Sequence, residues 1–201
     1  MTKGARTREA ILDRALAHAC TVGLAGLTIG TLATDTGLSK SGLYAHFGSK
    51  EALQLAVLDA AADEFARTVV VPALALPRGE PRLLGLVDRW IESGKRRLPG
   101  GCLIDKASTE LDEQPGPVRD RLQEHHRALD DSVARIVAGG IREGHFRADV
   151  DTHQFAIDLY GVMLAFYHAH RLLADPRAEQ HTRTAVVALL RAARPDTEGD
   201  R

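Results

Sequence analysis

An all-α fold of about nine helices is what this 201-residue sequence predicts, on three observations. Apolar residues recur at i, i+3 and i+4 along most of the chain. Proline and glycine interrupt that pattern at short intervals. Strand alternation is absent, and the single β-branched run, Val69-Val70-Val71, sits inside a helical pattern. A content of 44% hydrophobic and 26% charged residues excludes a disordered chain and a membrane protein. The longest apolar stretch, Leu159 to Tyr167, is too short to span a bilayer.

The first helix takes Ile11, Leu12, Ala15, Leu16, Ala19 and Val22 as its apolar stripe, with Thr7 or a neighbour as cap. Cys20 lies off that stripe, and Gly23 to Leu27 forms a linker. Within residues 28–47, Thr28 caps a short helix, Gly37 ends it in a left-handed turn, and Ser39 caps a second. Small Ala33 lets the two helices cross closely, while Leu32, Leu38, Leu43 and Phe47 supply apolar contacts beneath them. A small residue, a residue tolerant of positive φ and an anchor are what a helix-turn-helix requires, although helical hairpins without DNA affinity also meet those terms. Gly30 and Gly42 sit inside these helices at a cost of about 1 kcal/mol each relative to alanine. At Gly42 the missing side chain allows close approach to DNA; at Gly30 the sequence offers no reason.

Further helices are predicted over Ser49–Val71, Pro81–Leu98, Leu103–Leu111, Pro117–Glu143, Asp151–Leu173 and Pro176–Arg194. The breakers between them are Pro72 with Pro77-Arg78-Gly79, Pro99-Gly100-Gly101, Pro115-Gly116-Pro117, Gly144 and Pro176. Asp151 and Gln154 have the spacing of a capping box. The expected division is 1–50 for a helix-turn-helix domain, 51–195 for a helical domain, and 196–201 for a flexible tail.

A formal net charge of −1 conceals an asymmetry. Residues 1–50 carry six basic groups against three acidic ones, and the other 151 residues carry 20 against 24. A basic reader joined to an acidic body points to a polyanionic partner. The two cysteines, Cys20 and Cys102, exclude a disulfide framework and fit a reducing compartment. The N-terminal residues lack the apolar core of a signal peptide, so a cytoplasmic location is expected.

The run Ala33-x-x-x-Gly37-Leu38-Ser39-Lys40-Ser41-Gly42-Leu43-Tyr44-x-His46-Phe47-x-Ser49-Lys50-Glu51-x-Leu53 closely resembles the most distinctive stretch of the TetR (TetR/AcrR-type) family of transcriptional repressors. Arg8-x-x-Ile11-Leu12-x-x-Ala15 and Gly23-x-x-x-Leu27-Thr28 resemble its first helix and linker. The resemblance covers roughly residues 6–58; beyond it, only helix count and chain length are similar, and Gly42 is a minor departure. It implies that Lys40, Ser41 and Gly42 open a recognition helix within reach of base edges, behind the cap Ser39. It implies phosphate or sugar contacts for Thr28, Tyr44, His46 and Lys50, with a thymine methyl also open to Tyr44. Packing is the competing role for Tyr44 and the main one for Phe47. Lys3, Arg6 and Arg8 either track the DNA backbone as an arm or merely solubilise the terminus.

A short recognition helix reads few base pairs, so two copies are expected. In the helix 151–173, Phe155, Leu159, Val162, Met163 and Phe166 share one face, and Ile157, Tyr160, Leu164 and Tyr167 another. A helix apolar on both faces is buried on both sides, which a homodimer through 151–173 and 176–194 provides; Val186, Leu189, Leu190 and Ala193 add the second helix. The alternative is a fully internal helix of a monomer.

The resemblance also implies a small-molecule site among the middle helices, with Trp90, Cys102, His126, Leu129, Phe155, Leu159, Met163 and Phe166 as candidates. His126 interrupts the stripe Leu122, Leu129, Val133, Ile136 and is either a hydrogen-bonded core residue or a ligand contact. Cys102 opens a helix with Lys106 one turn on, which suits either a reactive thiol or a small buried residue. The histidines lack metal-ligand spacing, and no cofactor is implied. The expected function is an effector-released repressor on a double-stranded operator. An effector-independent regulator or activator and a Cys102-based redox sensor are the alternatives. An enzyme with Cys102 as nucleophile and His126 as base lacks any accompanying acid, cofactor loop or metal motif.

Overall fold

The computed structural model describes residues 3–96 and 102–195, and among them every regular element is helical. In chain order these are α1 (Lys3–Val22), α2 (Ile29–Thr36), α3 (Lys40–Phe47) and α4 (Lys50–Phe65, continued by a π turn at Ala66–Val70 and by Val71–Leu74). Then come α5 (Glu80–Arg96), α6 (Leu103–Leu111) and α7 (Pro117–Arg142). The last are α8 (Thr152–Tyr167, ending in a π turn at His168–Leu172) and α9 (Ala178–Ala193). No helix among the described residues is long and apolar enough to cross a membrane. The expected end of α5 at Leu98, the breaker Pro99-Gly100-Gly101 and the tail 196–201 lie outside the described residues.

Several local expectations are corrected. α1 starts at Lys3, so Thr7 is inside the helix rather than at its cap, and Lys3, Arg6 and Arg8 belong to α1 rather than to a disordered arm. Val22 is exposed, and Cys20, 2% exposed, takes its place in the core. The helix does not break at Pro72. Proline offers no N–H to the Thr68 carbonyl, and its ring would crowd that oxygen in a regular α turn. The backbone opens to π spacing just ahead of the ring, and α4 runs on to Leu74. Asp151 caps α8 by accepting the His153 and Gln154 amides, both at 3.0 Å. Those donors, Gln154 first, hold its carboxyl below its ordinary value. The Gln154 side chain donates to Asp158 at 2.8 Å instead of reaching back, so only half of the expected capping box is made.

Packing divides the chain into two units. The first takes α1 to α3, α4 as far as Phe65, α6, and α7 as far as His125; the second takes the rest of α4, α5 as far as Lys95, the rest of α7, α8 and α9. The first closes on Ile11, Ala15, Leu24, Leu27, Leu53, Val57, Leu58, Leu103 and Ala107. Between α4 and α7 it is also tied by Asp59, whose carboxylate accepts Arg121 Nη1 at 2.9 Å and lies 2.9 Å from His125 Nε2. The second closes on Leu83, Leu86, Trp90, Ile91, Val137, Leu159, Met163 and Phe166.

Candidate nucleic-acid interface

The turn between α2 and α3 is built from the residues that the sequence nominates. Thr28 Oγ1 accepts the Thr31 N–H at 3.0 Å and Thr31 Oγ1 accepts the Thr28 N–H at 3.1 Å, a complete capping box. Gly37 closes α2 at φ 68°, where a Cβ would be strained. Ser39 Oγ accepts the Gly42 N–H at 3.0 Å and starts α3. Beneath the crossing lie Ile29, Leu32, Ala33, Leu43 and Phe47, all buried. Leu38 is exposed because it stands in the turn itself, so it adds nothing to that core.

Burying Leu43 and Phe47 turns the opposite face of α3 to solvent. Lys40, Ser41 and Tyr44 are exposed, Tyr44 at 52%, while Gly42 and His46 are half-buried. A phenol that exposed makes little core, whereas Phe47 is packing. The His46 ring lies 6.5 Å from that of Phe47. Lys40 lies over the first turn of α2: a Cβ built on Gly30 would be 3.9 Å from Lys40 Nζ, ordinary contact that does not require glycine. Thr28 caps α2 and Lys50 opens α4, where the positive end of each helix dipole favours an anion. α3, eight residues long, is about 12 Å in length, close to the width of a B-DNA major groove. This surface therefore offers the outer face of a short helix with a cation, hydroxyls and an aromatic ring.

Two contacts behind it escaped the sequence. The Arg8 guanidinium lies 5.2 Å from the Phe47 ring centroid, joining α1 to α3. Lys50 Nζ donates to the Ala25 carbonyl at 3.0 Å, in the linker before α2. Neither has a local signal, because each joins residues more than twenty positions apart.

The nominated small-molecule residues do not all fall in one unit. Trp90, His126, Leu129, Phe155, Leu159, Met163 and Phe166 belong to the second, while Cys102, 8% exposed, belongs to the first. Tyr160 brings Trp90 and His126 together, with ring centroids at 6.4 Å and 5.4 Å from its own; by periodicity alone Tyr160 falls only on the face expected at the dimer seam. Near His126, burial pushes the Asp130 carboxyl above its ordinary value, opposed first by His126 itself. Cys102 stands at the N-cap of α6, as expected, but Lys106 Nζ donates to the Cys20 carbonyl at 2.7 Å, so its charge is engaged at the end of α1.

Two family models match the chain: bacterial regulatory proteins of the tetR family over residues 11–57, and the tetracyclin repressor-like C-terminal domain over residues 79–186. Among solved structures, a TetR transcriptional regulator from Chloroflexus aurantiacus J-10-FL is 29% identical, with 95% of this chain and 96% of that one covered and a TM-score of 0.84. A TetR-family regulator from Cytophaga hutchinsonii is 20% identical over 98% and 99% of the chains, also at 0.84. AibR, solved with isovaleryl coenzyme A and operator DNA, is 22% identical over 91% and 97%, at 0.73. No protein of curated function matches the sequence.

Proposed function

Because the chain belongs to the TetR family of transcriptional regulators, on the two models that it matches, we propose that it is a ligand-responsive repressor. It binds a pseudo-palindromic operator as a homodimer and is released by a small-molecule effector. The exposed outer face of α3 carries this reading. Lys40, Ser41 and Gly42 read base edges; Thr28, Ser39, Tyr44, His46 and Lys50 hold sugar and phosphate. Residues 1–50 are the reading domain in this scheme, and 51–195 the sensing and dimerising one.

The second copy is called for by α8. Ile157 and Leu164 are 58% and 41% exposed in the single chain. Gly161 between them has nothing within 4 Å of a built Cβ, which suits the close approach of another helix. On α9, Val187 is exposed beside Glu179, Arg183, Thr184 and Arg191 in an open groove of about 870 Å³. Pairing α8 and α9 with their symmetry mates covers these faces and sets two recognition helices about 34–36 Å apart, one turn of DNA. The effector site is assigned to the second unit, around Trp90, His126 and Tyr160. That AibR was solved with both a coenzyme A thioester and operator DNA supports the pairing of the two activities on this fold.

Selection of duplexes from a random pool tests the reading, followed by a compound screen for release. A dyad-symmetric consensus bound by a dimer is expected. Binding without sequence preference, or a consensus without dyad symmetry, would remove it.

A further inference from the structure

We propose that Glu110 and Lys106, both on α6, are positioning residues for operator binding. They fasten the joint between α1 and the helix-turn-helix, and so hold the segment that leads into α2. The role rests on the DNA-binding reading above.

The joint begins at the C-terminal end of α1. The last carbonyls of a helix have no intrahelical donor, and its C-terminal end carries partial negative charge. α1 has no basic residue in its last turn. Lys106 supplies the cation from another helix, with Nζ at 2.7 Å from the Cys20 carbonyl and 3.5 Å from that of Thr21. The chain then turns at Gly23, φ 84°, whose N–H returns to the Ala19 carbonyl at 2.8 Å. Glu110 lies directly against that turn: a Cβ on Gly23 would stand 1.9 Å from Glu110 Oε1. The other carboxylate oxygen, Oε2, accepts the Ala25 N–H at 2.9 Å.

α4 grips the same segment. Gln54 Nε2 donates to the Leu24 carbonyl at 2.7 Å, and Lys50 Nζ to that of Ala25 at 3.0 Å. Leu24 and Leu27 are fully buried below. The linker thus has no regular structure of its own, yet side chains from two helices hold its polar groups. Lys106 and Glu110 are four residues apart, one turn of α6, and share a face. One face of α6 therefore supplies both contacts. If only a fraction of molecules holds α2 and α3 in the reading pose, the apparent dissociation constant rises by the inverse of that fraction.

Affinity for a duplex selected by the unsubstituted protein, its salt dependence, and hydrogen exchange at the Ala25 amide test the role together. Glu110→Ala is expected to weaken binding about fivefold, the effect of a reading pose populated about one fifth as often. The salt slope and base preference stay unchanged, since no phosphate contact is lost, and Ala25 exchange accelerates. Glu110→Gln removes the same charge but keeps an acceptor for the Ala25 N–H, so it binds within about twofold of the parent. Lys106→Met is expected to weaken binding with the slope again unchanged. Full affinity in Glu110→Ala overturns the role, as does equal weakness in Glu110→Gln. If the unsubstituted protein selects no duplex, the DNA-binding reading itself falls and takes this role with it.

Discussion

The ammonium of Lys50, the first residue of α4, donates to the carbonyl oxygen of Ala25 at 3.0 Å. It touches the joint that leads into α2 while standing at a helix start suited to phosphate. An ammonium has three donors, and one carbonyl leaves two for an anion. Lys50→Ala is therefore expected to weaken binding to all duplexes alike and to lower the slope of log affinity against log salt by about one unit. Titrations of a selected and a scrambled duplex over a salt series read both effects. Weaker binding with an unchanged slope would leave Lys50 to the linker alone.

Lys40 and Ser41 behave differently if they read bases. Both are exposed at the start of α3, directly behind the cap Ser39. Exchanging either is expected to change the preferred base at particular positions of the consensus, with about 1–3 kcal/mol of discrimination lost there. Repeating the selection with Lys40→Ala and Ser41→Ala gives the answer position by position. A uniform loss across all sequences would place them on the backbone.

The core of this surface was legible because its rules are local. Thr28, Gly37 and Ser39 act within four residues of themselves, and their cap bonds and left-handed turn follow from residue type. Leu38 was misplaced because a hydrophobic residue in a two-helix turn has no periodicity to say which way it faces. Val22 and Cys20 exchange roles because α1 also packs on α6, a partner some 80 positions away that leaves no mark on the local pattern. The same distance hid Glu110, whose bond to the Ala25 amide spans 85 residues. Pro72 misled for another reason: its rule is one of cost, and a π turn upstream met that cost without ending the helix.

In the second unit, Arg194 Nε donates to Glu80 Oε2 at 2.8 Å, fastening the end of α9 to the start of α5. The Arg194 hydrogen bond is the main reason that the Glu80 carboxyl is held below its ordinary value of 4.5, partly opposed by burial. A depressed carboxyl contributes stability above its unfolded pKa and loses it as pH falls through the folded one. Glu80→Gln is thus expected to be less stable than the parent at neutral pH, with the difference closing below pH 4.5. Urea midpoints across that range measure it. A gap that stays constant into acid would mean that the pair contributes through shape rather than charge.

Ile157 separates folding from assembly. Its side chain is largely solvent-exposed on α8 in the single chain, so a charge there costs the isolated fold little. Across a two-fold axis the same charge meets its own copy in an apolar seam, where two unpaired like charges are unfavourable on both desolvation and Coulomb grounds. Ile157→Glu is therefore expected to sediment as a helical monomer and to lose most operator affinity, because each recognition helix then binds one half-site without its twin. Leu164→Glu, two turns along the same face at 41% exposure, should do the same. If both variants remain dimers with parental affinity, α8 is not the dyad helix, and the outer groove of α9 becomes the surface on which the second copy must be sought.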